Sequence, residues 1–300
     1  MRKVEITKRL QVGEKQFGIL LLIPALLVVT CLMIFPVFYQ FSLAFYRKHP
    51  LERVGEFVGL ANFIAVFHSP EFWNALLRGA IWTGGTVSLQ LAVGIGMALL
   101  LYYPLKGTSI ARGFILFPYV VPIIAAALVW RWLFNDLYGI INYFLTSTGL
   151  TKQPIIWLGS PNLALFSCIT VAVWKYFPFV VIATLARLQT IPKELYEAAR
   201  SDGANSFQRF IHVTLPQLRE VLFVVILLLG IFMFGNLEVI WLLTRGGPIR
   251  SSETLPVLVY NTIYGTLRQG LGAAVAIGMI GIMMAGFVVY STLYSKFIGR

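Results

Sequence analysis

Six stretches of about twenty or more predominantly apolar residues recur along the chain, near 17–40, 75–102, 110–133, 162–186, 219–243 and 271–295. Each is long enough to cross the ~30 Å hydrocarbon core of a bilayer as a helix. Backbone groups in lipid find no water and must be satisfied within their own segment. The pattern therefore predicts an all-α, polytopic membrane protein with about six spans. Prolines mark expected kinks at Pro24 and Pro36 in the first span, Pro118 and Pro122 in the third, and Pro178 in the fourth. Gly79, Gly84, Gly94 and Gly96 give the second span small residues suited to close helix packing. The intervening stretches at about 41–74, 134–161 and 244–270 are long enough to fold back as short interfacial helices. Tyr260, Ile263, Tyr264 and Leu267 have the spacing for one.

Composition agrees with the pattern. The 300 residues are 58% hydrophobic, with mean hydropathy +0.80. Charged residues make up 12%, about half the share of a soluble domain. The net charge of +12 does not point to nucleic acid, because the lysines and arginines lie in short loops between apolar runs. Fourteen of the 24 fall on one face: Arg2, Lys3, Lys8, Arg9, Lys15, Lys106, Arg112, Arg187, Lys193, Arg200, Arg209, Arg219, Lys296 and Arg300. By the positive-inside rule that face is cytoplasmic, with both termini and the 187–218 loop on it. The basic 1–16 segment reads as a cytoplasmic N-terminal stretch, and 17–300 as one membrane domain. No small-residue cleavage site precedes Phe35-Pro36, so the first apolar run is read as a retained span. Cys31 and Cys168 lie in apolar segments and imply neither a disulfide framework nor a metal site. His49, His68 and His212 have no ligand spacing.

The 190–216 loop is polar and charged in a chain that is otherwise apolar. Thr190 is placed to cap a helix, with Pro192 in its first turn. Glu194 and Glu197 suit the positive end of that helix, and Leu195, Ala198 and Ala199 make a small apolar stripe. Gly203 supplies a left-handed terminator after Asp202. Ser206 is then placed to cap a second helix bearing Phe207, Phe210 and Ile211, which Pro216 stops before the fifth span. Two readings follow: an amphipathic loop resting on lipid headgroups, or a helix-turn-helix that touches another protein.

Glu197-Ala198-Ala199, Asp202-Gly203-Ala204, Phe210-Ile211 and Leu215-Pro216 stand in the order and register of a motif between two spans. Here the chain resembles the membrane subunit of binding-protein-dependent ABC importers. Glu220 departs from the proline that many relatives carry. A second stretch, Asn236-Leu237-Glu238-Val239-Ile240-Trp241-Leu242-Leu243-Thr244-Arg245-Gly246-Gly247-Pro248, is similar to the carbohydrate branch and to its maltose-type first permease. Weaker likenesses lie at 57–63, Phe117-Pro118-Tyr119 and Trp130.

The resemblance implies ATPase coupling through Glu194, Glu197, Ala198, Ala199, Asp202, Gly203, Ala204, Phe210, Leu215 and Pro216. It also implies a second homologous permease subunit, two ATPase subunits, an extracytoplasmic solute-binding protein, a sugar substrate and a bacterial cytoplasmic membrane. The chain contains no GxxxxGK[ST] phosphate loop, so it binds no cofactor by that route, and ATP and Mg belong to the ATPase partners. Polar residues inside spans are costly and mark cavities or helix contacts. Those with sugar-binding chemistry are Tyr119, Trp174, Lys175, Tyr176, Asn236, Glu238 and Trp241, unless the aromatics are interfacial anchors and Lys175 pairs with Glu238. Lys175 or Arg78 would favour an anionic sugar. Gly246-Gly247-Pro248 should form a tight external turn, a candidate binding-protein contact. A secondary transporter or channel is the competing class, but neither related halves nor carboxylate rings are evident. A membrane enzyme would need clustered intramembrane His or Asp, whereas Asp136 and Asp202 are the only aspartates and lie in loops.

Overall fold

The computed structural model describes residues 14–53, 55–102 and 108–298. Arg2, Lys3, Lys8, Arg9, Lys106 and Arg300 of the sidedness argument lie outside them. Helices dominate. α1 (Phe17–Leu43) leads into a short ribbon in which β1 (Tyr46–Arg47) pairs antiparallel with β2 (Glu56–Phe57). The chain continues through α2 (Ala61–His68), α3 (Pro70–Tyr102), α4 (Thr108–Val120), α5 (Ile123–Leu133) and α6 (Ile140–Ser147). α7 (Ala164–Leu188), α8 (Lys193–Ser201), α9 (Ser206–Phe234), α10 (Glu238–Leu243), α11 (Leu255–Tyr260) and α12 (Gln269–Ile298) complete it. Among the described residues, five helices are long and apolar enough to span a membrane. The bent pair α4 and α5 supplies a sixth.

α3 and α7 form the central pair. Gly94 lets them meet, because a Cβ there would lie 2.5 Å from Val180 Cβ. Gln90 Nε2 donates to the Ala172 carbonyl at 3.2 Å, one helix over. α9 runs antiparallel along the same helix: Trp82, fully buried, donates its indole N–H to the Met233 carbonyl at 2.8 Å, while Ala98 packs near Leu218 and Leu222. The Tyr290 hydroxyl of α12 donates to the Phe223 carbonyl at 2.7 Å. This threading puts Tyr102, Thr108, Leu188 and the 190–216 hairpin at one end, and 44–70, 134–163 and 235–268 at the other.

The outside is apolar, as expected where lipid or a partner helix replaces water. The apolar window of α1 is unburied by the rest of the chain, with Leu32 72% exposed.

Several expectations are corrected. The third span is broken, not kinked: α4 and α5 meet at 96° around Val121-Pro122. Pro178 lies within an unbroken α7. Pro216 does not end a helix, since α9 is continuous from Ser206 and absorbs the proline after a π-turn at Phe210–Thr214. That turn shifts the hydrogen-bond ladder where a proline would interrupt it. The fifth span ends at Phe234 instead of reaching 243. Of the residues expected on a short interfacial helix, Tyr260, Ile263 and Tyr264 lie in α11 and a π-turn at Asn261–Gly265, and Leu267 lies beyond it.

Candidate functional site: a helical hairpin and a broken-span cluster

α8 begins after Pro192, whose extended ψ of 134° makes it the N-cap residue. Thr190 is not the cap: its Oγ1 donates to the Arg187 carbonyl and closes α7. α8 ends as its sequence anticipates. Gly203 adopts φ +80°, its N–H bonds the Arg200 carbonyl at 3.0 Å, and the Ala204 N–H bonds the Ala199 carbonyl at 2.9 Å. That is the paired closure of a glycine C-cap. The second helix is capped by Asn205, one residue before the expected Ser206. Asn205 Oδ1 accepts the Gln208 amide at 2.9 Å, and Gln208 Oε1 accepts the Asn205 amide at 2.8 Å. Asn-x-x-Gln is the capping-box spacing, so this signal was present in the sequence.

Two tethers that the sequence does not announce hold the hairpin. The Tyr196 hydroxyl bonds Thr214 Oγ1 at 3.1 Å, and Arg187 Nε donates to the Gln217 carbonyl at 2.9 Å. Glu194, Glu197, Ala198, Asp202, Gly203, Leu215 and Pro216 are exposed, while Ala199, Ala204 and Phe210 are half-buried. A cleft of about 420 Å³ opens between α8, the start of α9 and the end of α3, lined by Glu197, Lys193, Arg200, Arg209 and Phe210. The hairpin thus offers a carboxylate, small alanines and exposed Phe207 on a braced frame.

The second cluster forms where two spans break. The Tyr176 ring packs edge-on to Tyr119 (centroids 6.5 Å apart) and to Phe232 (5.3 Å). Asn236 and Glu238 lie beside Tyr176, and Glu238 also lies within electrostatic range of Lys175. Asn236 is buried, and its Oδ1 accepts the Val239 amide at 3.2 Å where α10 starts. Glu238 is exposed. Five of the seven path candidates therefore converge, although two of them are 117 or more positions from Tyr119 in sequence, Asn236 and Glu238. Trp174 does not join them and packs on Trp130 at 5.6 Å. Trp241 packs tilted against Tyr260 at 4.1 Å, Tyr260 against Tyr264 at 4.8 Å, and Arg245 lies 6.0 Å over the Trp241 ring.

The ion pair between Lys175 and Glu238 does not form among the described residues. The Lys175 ammonium bonds the carbonyls of Pro118 (3.0 Å), Tyr119 (2.9 Å) and Val121. With all three protons engaged, it has no donor left for an anionic sugar.

The turn at Gly246-Gly247-Pro248 forms, with a cis peptide before Pro248. Gly246 is buried, at φ +85°, where a Cβ would meet Val257 Cγ1 at 2.9 Å. The outward-facing residues here are Arg245, Ile249 (88% exposed) and Arg250. The loop is pinned by Glu253, 2% exposed. It accepts from Asn261 Nδ2 at 2.8 Å and pairs with Arg250 at 3.7 Å, and Arg250 also reaches Glu71 at 3.6 Å.

Residues 90–298 match the family model described as binding-protein-dependent transport system inner membrane component. The chain belongs to this family. The match takes in both the hairpin and the broken-span cluster, and leaves out α1, the ribbon, α2 and the start of α3. The chain is 35% identical over 285 residues to the trehalose/maltose transport system permease protein MalF of Thermococcus litoralis, covering 95% of this chain and 96% of that one. It is 32% identical over 285 residues to the sulfoquinovosyl glycerol transport system permease protein SmoG of Agrobacterium fabrum, covering 95% and 92%. Its fold matches a crystal structure of a bacterial ABC transporter involved in the import of alginate. The TM-score is 0.81 at 20% identity, over 94% of this chain and 96% of that one. As an inner membrane component it is a multi-pass permease, and the competing class of secondary transporter or channel falls away.

Proposed function

We propose that this permease is one of two homologous membrane subunits of a bacterial importer of a sugar or sugar derivative, with residues 17–300 acting as one transmembrane domain. Two separate ATPase subunits bind ATP and Mg and drive it, and an extracytoplasmic solute-binding protein delivers the substrate. The carrying observation is the 193–214 hairpin, an exposed, carboxylate-bearing frame tethered by the Tyr196–Thr214 and Arg187–Gln217 bonds at one end of the span bundle. Both termini and this hairpin face the cytoplasm, in keeping with the arginines and lysine at 187, 193, 200, 209 and 219 around it. Closure of the ATPases moves the hairpin as a unit. Because α9 is continuous from the hairpin to Phe234, that movement reaches the break beside Asn236. This is alternating access by rigid-body gating.

Tyr119, Tyr176, Asn236 and Glu238 line this chain's share of the path, offering hydrogen-bond partners and ring faces to a sugar. The exposed loop residues beside Gly246-Gly247-Pro248 meet the binding protein. A sugar cargo is in keeping with the relatives named above, whose names carry trehalose and maltose, sulfoquinovosyl glycerol, and alginate.

Mild-detergent purification from native membranes tests the assembly. A second six-span permease and an ATPase should co-purify. A chain that emerges alone, while a control transporter stays intact, would remove the proposal. Asn236→Ala should raise the substrate concentration for half-maximal uptake roughly tenfold, the loss of about one hydrogen bond of 1–1.5 kcal/mol, with assembly unchanged. Uptake assays across a sugar panel check this, and unchanged affinity for every transported sugar would take Asn236 off the path.

A further inference from the structure

The break in the third span creates an electrostatic problem inside the membrane. α4 ends at Val120, and the Val121 amide still reaches the Phe117 carbonyl at 3.2 Å. The next donor is missing, because Pro122 has no N–H to offer the Pro118 carbonyl. The 96° bend then carries the Ile123 amide away from Tyr119, and α5 restarts with the Ala126 amide on the Pro122 carbonyl at 3.0 Å. The carbonyls of Pro118, Tyr119 and Val121 are left without their helical donors at the negative end of a helix.

Lys175 answers this from another helix. It lies eleven residues after the start of α7 and thirteen before its end, near mid-span, and is 6% exposed. A lone ammonium at that depth is costly. Here its three protons meet the three orphaned carbonyls. The rings of Tyr119 and Tyr176 lie 6.0 and 5.9 Å from the same nitrogen, within cation–π range.

We propose that Lys175 is a positioning residue: its ammonium replaces the backbone donors lost at the α4–α5 elbow, fastens the elbow to α7, and sets the two tyrosines. This deepens the functional reading, since those tyrosines belong to the proposed sugar path. Lys175 itself takes no part in binding the sugar.

The proposal makes a paired prediction. Lys175→Met keeps the side-chain length and removes the cation. Pro122→Ala restores an N–H that can reach the Pro118 carbonyl. The test uses the full chain in lipid nanodiscs, with Cys31→Ser and Cys168→Ala, and spin labels at Ile124→Cys on α5 and Ile182→Cys on α7, both exposed. Pulsed electron resonance should give one narrow distance population for the otherwise unchanged chain. Lys175→Met should lose it to a broad distribution, and adding Pro122→Ala should restore much of the narrow population. An unaltered distribution in Lys175→Met overturns the proposal, as does a double variant as broad as the single one. Should Lys175→Met fail to assemble, the double variant carries the test: recovery of a folded chain supports the staple, and no recovery overturns it. The distance readout needs neither sugar nor ATPase, so it fails separately from the functional reading. In the reconstituted complex, Lys175→Met should also lower binding-protein-stimulated ATP hydrolysis roughly 10- to 100-fold, the cost of a misplaced site.

Discussion

Glu197→Lys should abolish uptake and uncouple the ATPase while the chain still inserts and folds. Glu197 is exposed on α8 and makes no hydrogen bond or ion pair among the described residues, so nothing inside the chain depends on its charge. The frame around it stays intact, because the Gly203 closure, the Asn205–Gln208 box and the Tyr196–Thr214 bond do not involve its side chain. If the carboxylate meets a cation on the ATPase, reversing it places like charges in contact and costs roughly 2–5 kcal/mol of docking, a 30- to several-thousand-fold loss. The measurement is co-purification of the ATPase together with uptake in the same membranes. Glu197→Gln should fall between, as it keeps shape and loses charge. The reading in which the loop merely rests on headgroups expects the opposite. There an added lysine strengthens attachment to acidic lipid and leaves uptake untouched. Wild-type uptake in Glu197→Lys would therefore end the coupling role.

Gly94→Val should prevent α3 and α7 from closing and so deplete the folded permease. The added Cβ would lie 2.5 Å from Val180 Cβ, 2.7 Å from its Cγ1 and 3.2 Å from the Phe177 carbonyl, one of these being backbone. On the N-terminal side of Gly94, α3 is fastened to both neighbours, by Gln90 to the Ala172 carbonyl and by Trp82 to the Met233 carbonyl. Overpacking of this kind costs at least about 1–3 kcal/mol, and more where backbones must separate. Gly96 provides the control, since a Cβ there meets nothing within 4 Å in this chain. Fluorescence-detected size exclusion with a heating series should show Gly96→Val near the unsubstituted protein and Gly94→Val aggregated or melting well below it. Equal behaviour of the two would show that the central pair is looser than its geometry.

Much of this protein is legible in local sequence. Span number follows from apolar length, because a backbone in lipid has few ways to satisfy itself. The hairpin follows from Pro192, Gly203 and Asn205-x-x-Gln208, since caps and left-handed turns are decided within a few residues. The motif at 197–216 led to the importer family for the same reason. Other features required the packed chain. Pro118, Pro122 and Pro178 look alike in sequence, yet one site is a 96° elbow and another an unbroken helix. Pro216 reads as a stop and is instead absorbed beside a π-turn. Lys175 reads as a ligand or an ion-pair partner and is committed to three carbonyls more than fifty residues away. Tyr119, Tyr176, Asn236 and Glu238 share no local signal that they meet. The division has one physical cause. Burying apolar surface and capping a helix are settled by near neighbours, whereas an orphaned carbonyl or a polar side chain in the membrane is satisfied by whatever donor the fold brings beside it.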